Sequence, residues 1–122
     1  TAKGTTRAGY FPGAEPMTVK LVAEVGTGRL LGGQIVGGQG SAKRIDTLAV
    51  AITAGFTAAQ LVDADLSYAP PFSPLWDPIA TAARVVASRL DPSLRLGDAR
   101  RRDQLLRLGD LLDRPGGTDA SA

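Results

Sequence analysis

The chain has 122 residues, a formal net charge of +2, and neither cysteine nor histidine. That length suits a single core and is too short for the two βαβ dinucleotide folds of a complete nicotinamide- and flavin-binding enzyme. The missing residue types exclude disulfides, Cys/His zinc sites and Cys- or Ser-His nucleophiles within the chain, leaving carboxylates, lysines and two tyrosines as its chemistry.

The charge is spread evenly. Residues 1–90 hold eight Lys/Arg and six Asp/Glu, and residues 91–122 hold six Arg and six Asp. Nucleic-acid binding calls for clustered cations with stacking aromatics. Only Arg100-Arg101-Arg102 is clustered, so no nucleic-acid partner is expected. No apolar run has the length of a membrane span and no basic-then-apolar leader opens the chain, so no membrane partner and a cytoplasmic location are expected. The first residue is Thr1 and the only methionine is Met17, as expected of a piece cut from a longer polypeptide.

A short leading strand is expected over residues 5–10, with Pro12-Gly13 as its turn. Residues 17–25 alternate, with Met17, Val19, Leu21, Ala23 and Val25 on one side and Thr18, Lys20 and Glu24 mostly on the other. A period of two predicts a half-buried strand. Gly26-Thr-Gly28 supplies the positive-φ freedom of a hairpin loop, and residues 29–36 return as the second strand. Gly32 and Gly33 within it predict a bulge or the close approach of another backbone.

Residues 37–40 form a glycine-rich loop, with Ser41 as the expected helix N-cap. Ile45, Leu48, Ala49 and Ile52 follow at helical spacing, and Gly55 is placed to close that helix in the left-handed conformation. Thr57-Ala-Ala-Gln60 has the spacing of a capping box opening a second, short helix, with Phe56 and Leu61 placed for a hydrophobic staple. Residues 68–74 cannot be regular structure, because Pro70, Pro71 and Pro74 remove three amide donors. Asp77 is the expected N-cap and Pro78 the first residue of a third helix. Its face of Ile79, Ala82, Ala83, Val86 and Leu90 is thin enough to demand a close neighbour.

After Asp91-Pro92 the character changes. Leu94-Arg-Leu-Gly-Asp98 recurs as Leu106-Arg-Leu-Gly-Asp110, too few copies for a solenoid. Leu105, Leu108 and Leu112 would line a helix, and the residues from Pro115 onward are expected to be disordered. Strands first and helices afterwards predict an α+β domain, a small antiparallel sheet with helices packed on one face. Residues 1–90 form that domain and residues 91–122 a C-terminal extension, partly helical or disordered.

Gly37-Gly-Gln-Gly40 is no phosphate loop, because Ser41 and Ala42 separate the last glycine from Lys43. Ordinary turn glycines are the expectation there. Lys43, Arg44 and Asp46 read as a solvated helix face with an ion pair to a neighbouring element, and no metal site is expected.

The set formed by Tyr10-Phe-Pro-Gly13, Lys43-Arg-Ile-Asp46 and Tyr68-Ala-Pro-Pro-Phe-Ser73, followed by Pro74-Leu-Trp-Asp-Pro78, resembles the C-terminal dimerisation domain of FAD- and NAD(P)-dependent pyridine nucleotide-disulfide oxidoreductases. Within that family it is most similar to the coenzyme A-disulfide reductase branch, over roughly residues 5–90. Trp76 departs from the small or charged residue usual in that branch.

The resemblance implies a homodimer and missing FAD and NAD(P) domains on the same polypeptide. FAD and NAD(P)H would serve as cofactors of the whole enzyme, none bound by this fragment alone, with coenzyme A disulfide or a persulfide as substrate. It implies that Tyr10 and Tyr68 approach the other subunit's active-site cysteine and the substrate sulfur, where a phenol can donate to a leaving thiolate. It further implies that Ala69, Pro70, Pro71, Phe72 and Ser73 lie against the partner's flavin. The isolated fragment would then be inactive. An NADH oxidase or peroxidase on the same scaffold, and a free-standing dimerisation module, are the alternatives.

Overall fold

The computed structural model describes residues 1–91. Three antiparallel strands, β1 (Ala2–Thr5), β2 (Pro16–Ala23) and β3 (Leu30–Gly37), form one sheet in the order β1-β2-β3. Helices α1 (Ser41–Thr53), α2 (Ala58–Asp63) and α3 (Pro78–Leu90) follow. This is the expected α+β order: α1 packs on β3, α3 packs on β1 and β2, and α2 lies against α3.

The alternation of β2 decides which side is covered. Met17, Val19 and Leu21 are buried, whereas Lys20 and Val22 are exposed. Above the inner face, Leu48 of α1, Leu61 of α2 and Ile79, Ala82 and Ala83 of α3 complete the core. Each fully buried large side chain contributes about 1.5–3 kcal/mol. The thin face of α3 has its close neighbour in β1, where a Cβ on Gly4 would come within 2.9 Å of Pro78 Cγ.

Short-range signals formed as expected. The β2–β3 turn is closed by Glu24 N donating to Arg29 O (2.8 Å) and Gly28 N to Glu24 O (3.0 Å), with Gly26 and Gly28 at φ of +94° and +73°. Gly55 sits at φ +74° and donates to Ile52 O. Thr57 and Gln60 form the reciprocal capping box, at 3.2 and 2.9 Å. Asp77 Oδ1 accepts from Ile79 N at 2.9 Å at the start of α3.

The β2–β3 ladder carries a bulge. Val22 faces Gly32 and Ala23 faces Leu30, so Leu31 has no partner. The close approach expected at Gly32 and Gly33 comes from a side chain: a Cβ on Gly33 would meet Leu48 Cδ1 at 2.7 Å. Backbone crowding occurs at Gly37 instead, where a Cβ would lie 2.9 Å from Pro16 O and 3.0 Å from Met17 Cα. Neither atom can turn aside. Gly37→Ala is therefore expected to destabilise the chain by about 1–3 kcal/mol, while Gly32→Ala, with open space around it, stays near neutral. Urea midpoints of the two variants check this, and equal midpoints would contradict it.

Four expectations shift. The leading strand lies at Ala2–Thr5 rather than at residues 5–10, because Thr6 turns the chain out of the sheet. Thr6 N donates to Glu15 O (2.8 Å) and Thr6 Oγ1 accepts from Glu15 N (3.0 Å), closing residues 6–15 into a loop. Ser41 is the first residue of α1, and left-handed Gly40 (φ +92°) precedes it as the cap without a side-chain bond. The buried stripe of α1 is Arg44, Leu48 and Ala51, leaving Ile45 and Ala49 exposed; the partners of Arg44, described below, set that rotation. In α3, Val86 is half-buried and Leu90 exposed, so its buried face centres on Ile79, Ala82, Ala83 and Ala87.

Residues 92–122 lie outside the described residues, and with them the Leu94/Leu106 repeat, the helix of Leu105, Leu108 and Leu112, and the segment after Pro115. Among the described residues, no helix is long and apolar enough to cross a membrane.

Candidate functional site

Two loops at the same end of α1 carry the site. One is residues 6–15, with Tyr10; the other is residues 64–77, with Tyr68 and the proline run. Ala8 N donates to Pro70 O at 3.1 Å and joins them directly. Within the second loop, Ala69 O accepts from both Phe72 N and Ser73 N at 2.9 Å, a turn that the neighbouring prolines stiffen.

Beneath the loops lies Arg44, 8% exposed. Its Nε donates to Asp77 Oδ2 at 2.8 Å, and its Nη2 donates to Thr6 O at 3.0 Å and to Phe72 O at 3.3 Å. Asp77 is 9% exposed and uses its other oxygen to cap α3. A desolvated pair of this kind holds only when its geometry is good and further hydrogen bonds serve its donors and acceptors; here Nε and Nη2 of Arg44 and both oxygens of Asp77 are engaged.

The Tyr10 and Tyr68 hydroxyls stand 3.4 Å apart, although 58 positions separate them in sequence. Either oxygen can be the donor. Both rings are open to solvent, Tyr10 at 77% and Tyr68 at 47% exposure. The Tyr68 phenol is pushed above the ordinary tyrosine range, chiefly by its hydrogen bond with Tyr10, with smaller contributions from lost hydration and from the charge that Tyr10 would carry. A phenol is protonated at neutral pH in any case and can act as a donor.

The other expected site residues divide by exposure. Phe72 holds its ring out at 78% exposure, Ala69, Pro70 and Pro71 are half-buried, and Ser73 is buried with its hydroxyl donating to Pro74 O at 2.9 Å. Residues 69–73 carry no charge. Their outward edge is a stiff apolar one of the sort that can lie against a flat aromatic ring held by another domain. Among the described residues there is one three-stranded antiparallel sheet and no βαβ dinucleotide fold. Leu75 and Trp76 extend the apolar surface, and the Arg84 guanidinium lies 4.2 Å from the centre of a Trp76 ring.

A groove of about 750 Å³ runs beside the pair, lined by Arg7, Lys43, Arg44, Ser67, Pro71 and Phe72 among others; neither tyrosine borders it. Lys43 and Asp46 behave as a solvated helix face, paired at 3.4 Å with both side chains open to water. Arg44 does not: it is buried rather than solvated, and the ion pair to a neighbouring element is its own, with Asp77 at the start of α3. Its place at the head of the i, i+4, i+7 series with Leu48 and Ala51 was the available signal. In the glycine loop, Gln39 N donates to Glu15 Oε2 at 3.0 Å, so the backbone there serves a carboxylate of the chain itself.

The small α+β unit, its buried ion pair and its outward-facing loops define an interface domain. The chain belongs to the family described as pyridine nucleotide-disulphide oxidoreductase, dimerisation domain, whose pattern matches residues 1–78. It is 46% identical over 84 residues to the NAD(P)H sulfur oxidoreductase (CoA-dependent) of Pyrococcus furiosus, a match covering 69% of this chain and 19% of that protein. It is 37% identical over 89 residues to an NADH oxidase of Methanocaldococcus jannaschii (73% and 20% covered). The identity is also 37% over 71 residues with a coenzyme A disulfide reductase of Staphylococcus epidermidis (58% and 16% covered). The crystal structure of reduced Bacillus anthracis CoADR-RHD superposes with a TM-score of 0.72 at 33% identity, over 88% of this chain and 19% of that one. The chain thus spans about a fifth of the length of the Pyrococcus and Methanocaldococcus relatives.

Proposed function

We propose that this chain is the interface domain of a homodimeric flavoprotein that uses NAD(P)H to reduce coenzyme A disulfide or a coenzyme A persulfide. Residues 1–90 form the interface domain and residues 91–122 an extension of it. The compactness of Thr1–Leu90 as a unit supports that boundary. Other domains of the same polypeptide would hold the cofactors, and FAD, when bound, supplies the electron relay between nicotinamide and disulfide. Residues 69–73 present their apolar edge to the partner's flavin, while Tyr10 and Tyr68 reach the reacting sulfur in the partner's site. Attack of a cysteine thiolate on the disulfide forms a mixed disulfide and expels a coenzyme A thiolate. A phenol O–H donates to that departing sulfur, the part that histidine plays in other members of the family and that this chain has no histidine to fill.

The observation that carries this reading is the pair of hydroxyls 3.4 Å apart on two exposed rings, mounted over the buried Arg44–Asp77 pair. A packing role would have no need to hold two phenols together in solvent. The names of the Pyrococcus and Staphylococcus relatives supply the substrate class. The whole enzyme, supplied with NAD(P)H and coenzyme A disulfide, is expected to release two thiols for each NAD(P)H consumed. The M. jannaschii relative favours a second reading, an NADH oxidase on the same scaffold. Oxygen uptake without thiol release would establish that one and overturn the first.

A further inference from the structure

Tyr10 and Tyr68 are far apart in sequence and ride on separate loops, so something must fix the distance between them. The Arg44 guanidinium touches the root of each loop. Thr6 O, four positions before Tyr10, and Phe72 O, four positions after Tyr68, both accept from Nη2, at 3.0 and 3.3 Å. Nε is held at 2.8 Å by Asp77, which is itself fixed to the first turn of α3. An ion pair alone would not require Nη2 to be spent on two carbonyls of two different loops. A lysine could not copy the arrangement, because its ammonium is a point donor on a flexible stem whereas guanidinium is a planar fork.

The hydroxyl pair is sensitive to this anchoring. An O–H···O bond is usually about 2.5–3.0 Å long, and this one, at 3.4 Å, already stands at the outer limit. A few tenths of an ångström of drift at either loop root would break it. We infer that Arg44 is a positioning residue, whose guanidinium sets the separation of the Tyr10 and Tyr68 hydroxyls by pinning the roots of their loops. Its consequence for turnover rests on the function proposed above, whereas its consequence for the tyrosine pair does not.

The chain has only two tyrosines, so ultraviolet absorbance during an alkaline titration reports this pair alone. In the otherwise unaltered chain, Tyr10→Phe is expected to lower the midpoint at which Tyr68 ionises, because the hydrogen bond that the Tyr68 hydroxyl donates to Tyr10 is the first cause of its raised value and is lost with the acceptor. In an Arg44→Lys chain with native circular dichroism, the same Tyr10→Phe change should no longer move Tyr68. If Arg44→Lys does not fold, the double variant Arg44→Met, Asp77→Ser takes its place: both charges go, while Ser retains the helix cap.

In the whole enzyme, Arg44→Lys should lower kcat by the same factor as Tyr68→Phe with KM unchanged, and combining the two should add little. The inference is overturned if Tyr10→Phe fails to move Tyr68 in the unaltered background, or if the full shift survives loss of Arg44. Should the titrations behave as expected while every Tyr→Phe enzyme turns over normally, Arg44 still positions the pair and the proposed catalytic role of the tyrosines falls.

Discussion

Changing Tyr68 to Phe in the whole enzyme is expected to slow disulfide reduction by about 10²-fold while leaving flavin content unchanged. The loss is that of one donor aimed at charge developing on sulfur, and removing a single donor of that kind typically costs about 10²–10³ in rate. Tyr68 is the stronger candidate of the two, since its loop carries the residues proposed to flank the flavin. Tyr10→Phe should cost less. The double variant should lose less than the product of the two single losses, because both hydroxyls would serve one sulfur. If the rings merely pack, the Phe variants keep everything that matters and turn over at the wild-type rate. Steady-state rates for the three variants decide it, and normal rates in all three would remove the tyrosines from the mechanism.

Arg44→Met is expected to be the most damaging single change to stability. It leaves the Asp77 carboxylate at 9% exposure without its cation, and takes a donor from Thr6 O and Phe72 O. Removing one partner of a buried pair costs about 3–5 kcal/mol, against a total of about 5–15 kcal/mol for a typical domain. With a urea slope of about 1–3 kcal/mol per molar, the unfolding midpoint should fall by more than about 1 M. Replacing Asp77 by Ser in the same chain should recover part of the loss, because no unpaired charge then remains buried. A midpoint within about 0.3 M of the unaltered chain would show that the pair contributes little and that water reaches Asp77 freely.

What could be read from the residues alone was what forms locally. The β2–β3 hairpin, Gly55 at the end of α1, the Thr57/Gln60 box and the Asp77-Pro78 start of α3 all depend on groups within a few positions of one another, and all formed, although β2 ends at Ala23 and leaves Val25 exposed in the turn. The order of elements was enough for the α+β class, and the tyrosine and proline motifs were enough for the family.

Register and facing were not legible in the same way. The leading strand lies at Ala2–Thr5 because Thr6 closes a loop with Glu15, a contact that no local pattern announces. The inward side of α1 is decided by Arg44, which hydropathy assigns to water. Its burial becomes tolerable only when Asp77, 33 positions away, and the carbonyls of Thr6 and Phe72 converge on one guanidinium. The tyrosine pair is of the same kind. Each ring could be picked out from its motif, but the 3.4 Å between their hydroxyls exists only where two loops distant in sequence are tied down together, because a desolvated cation must satisfy its donors wherever the chain can bring acceptors to it.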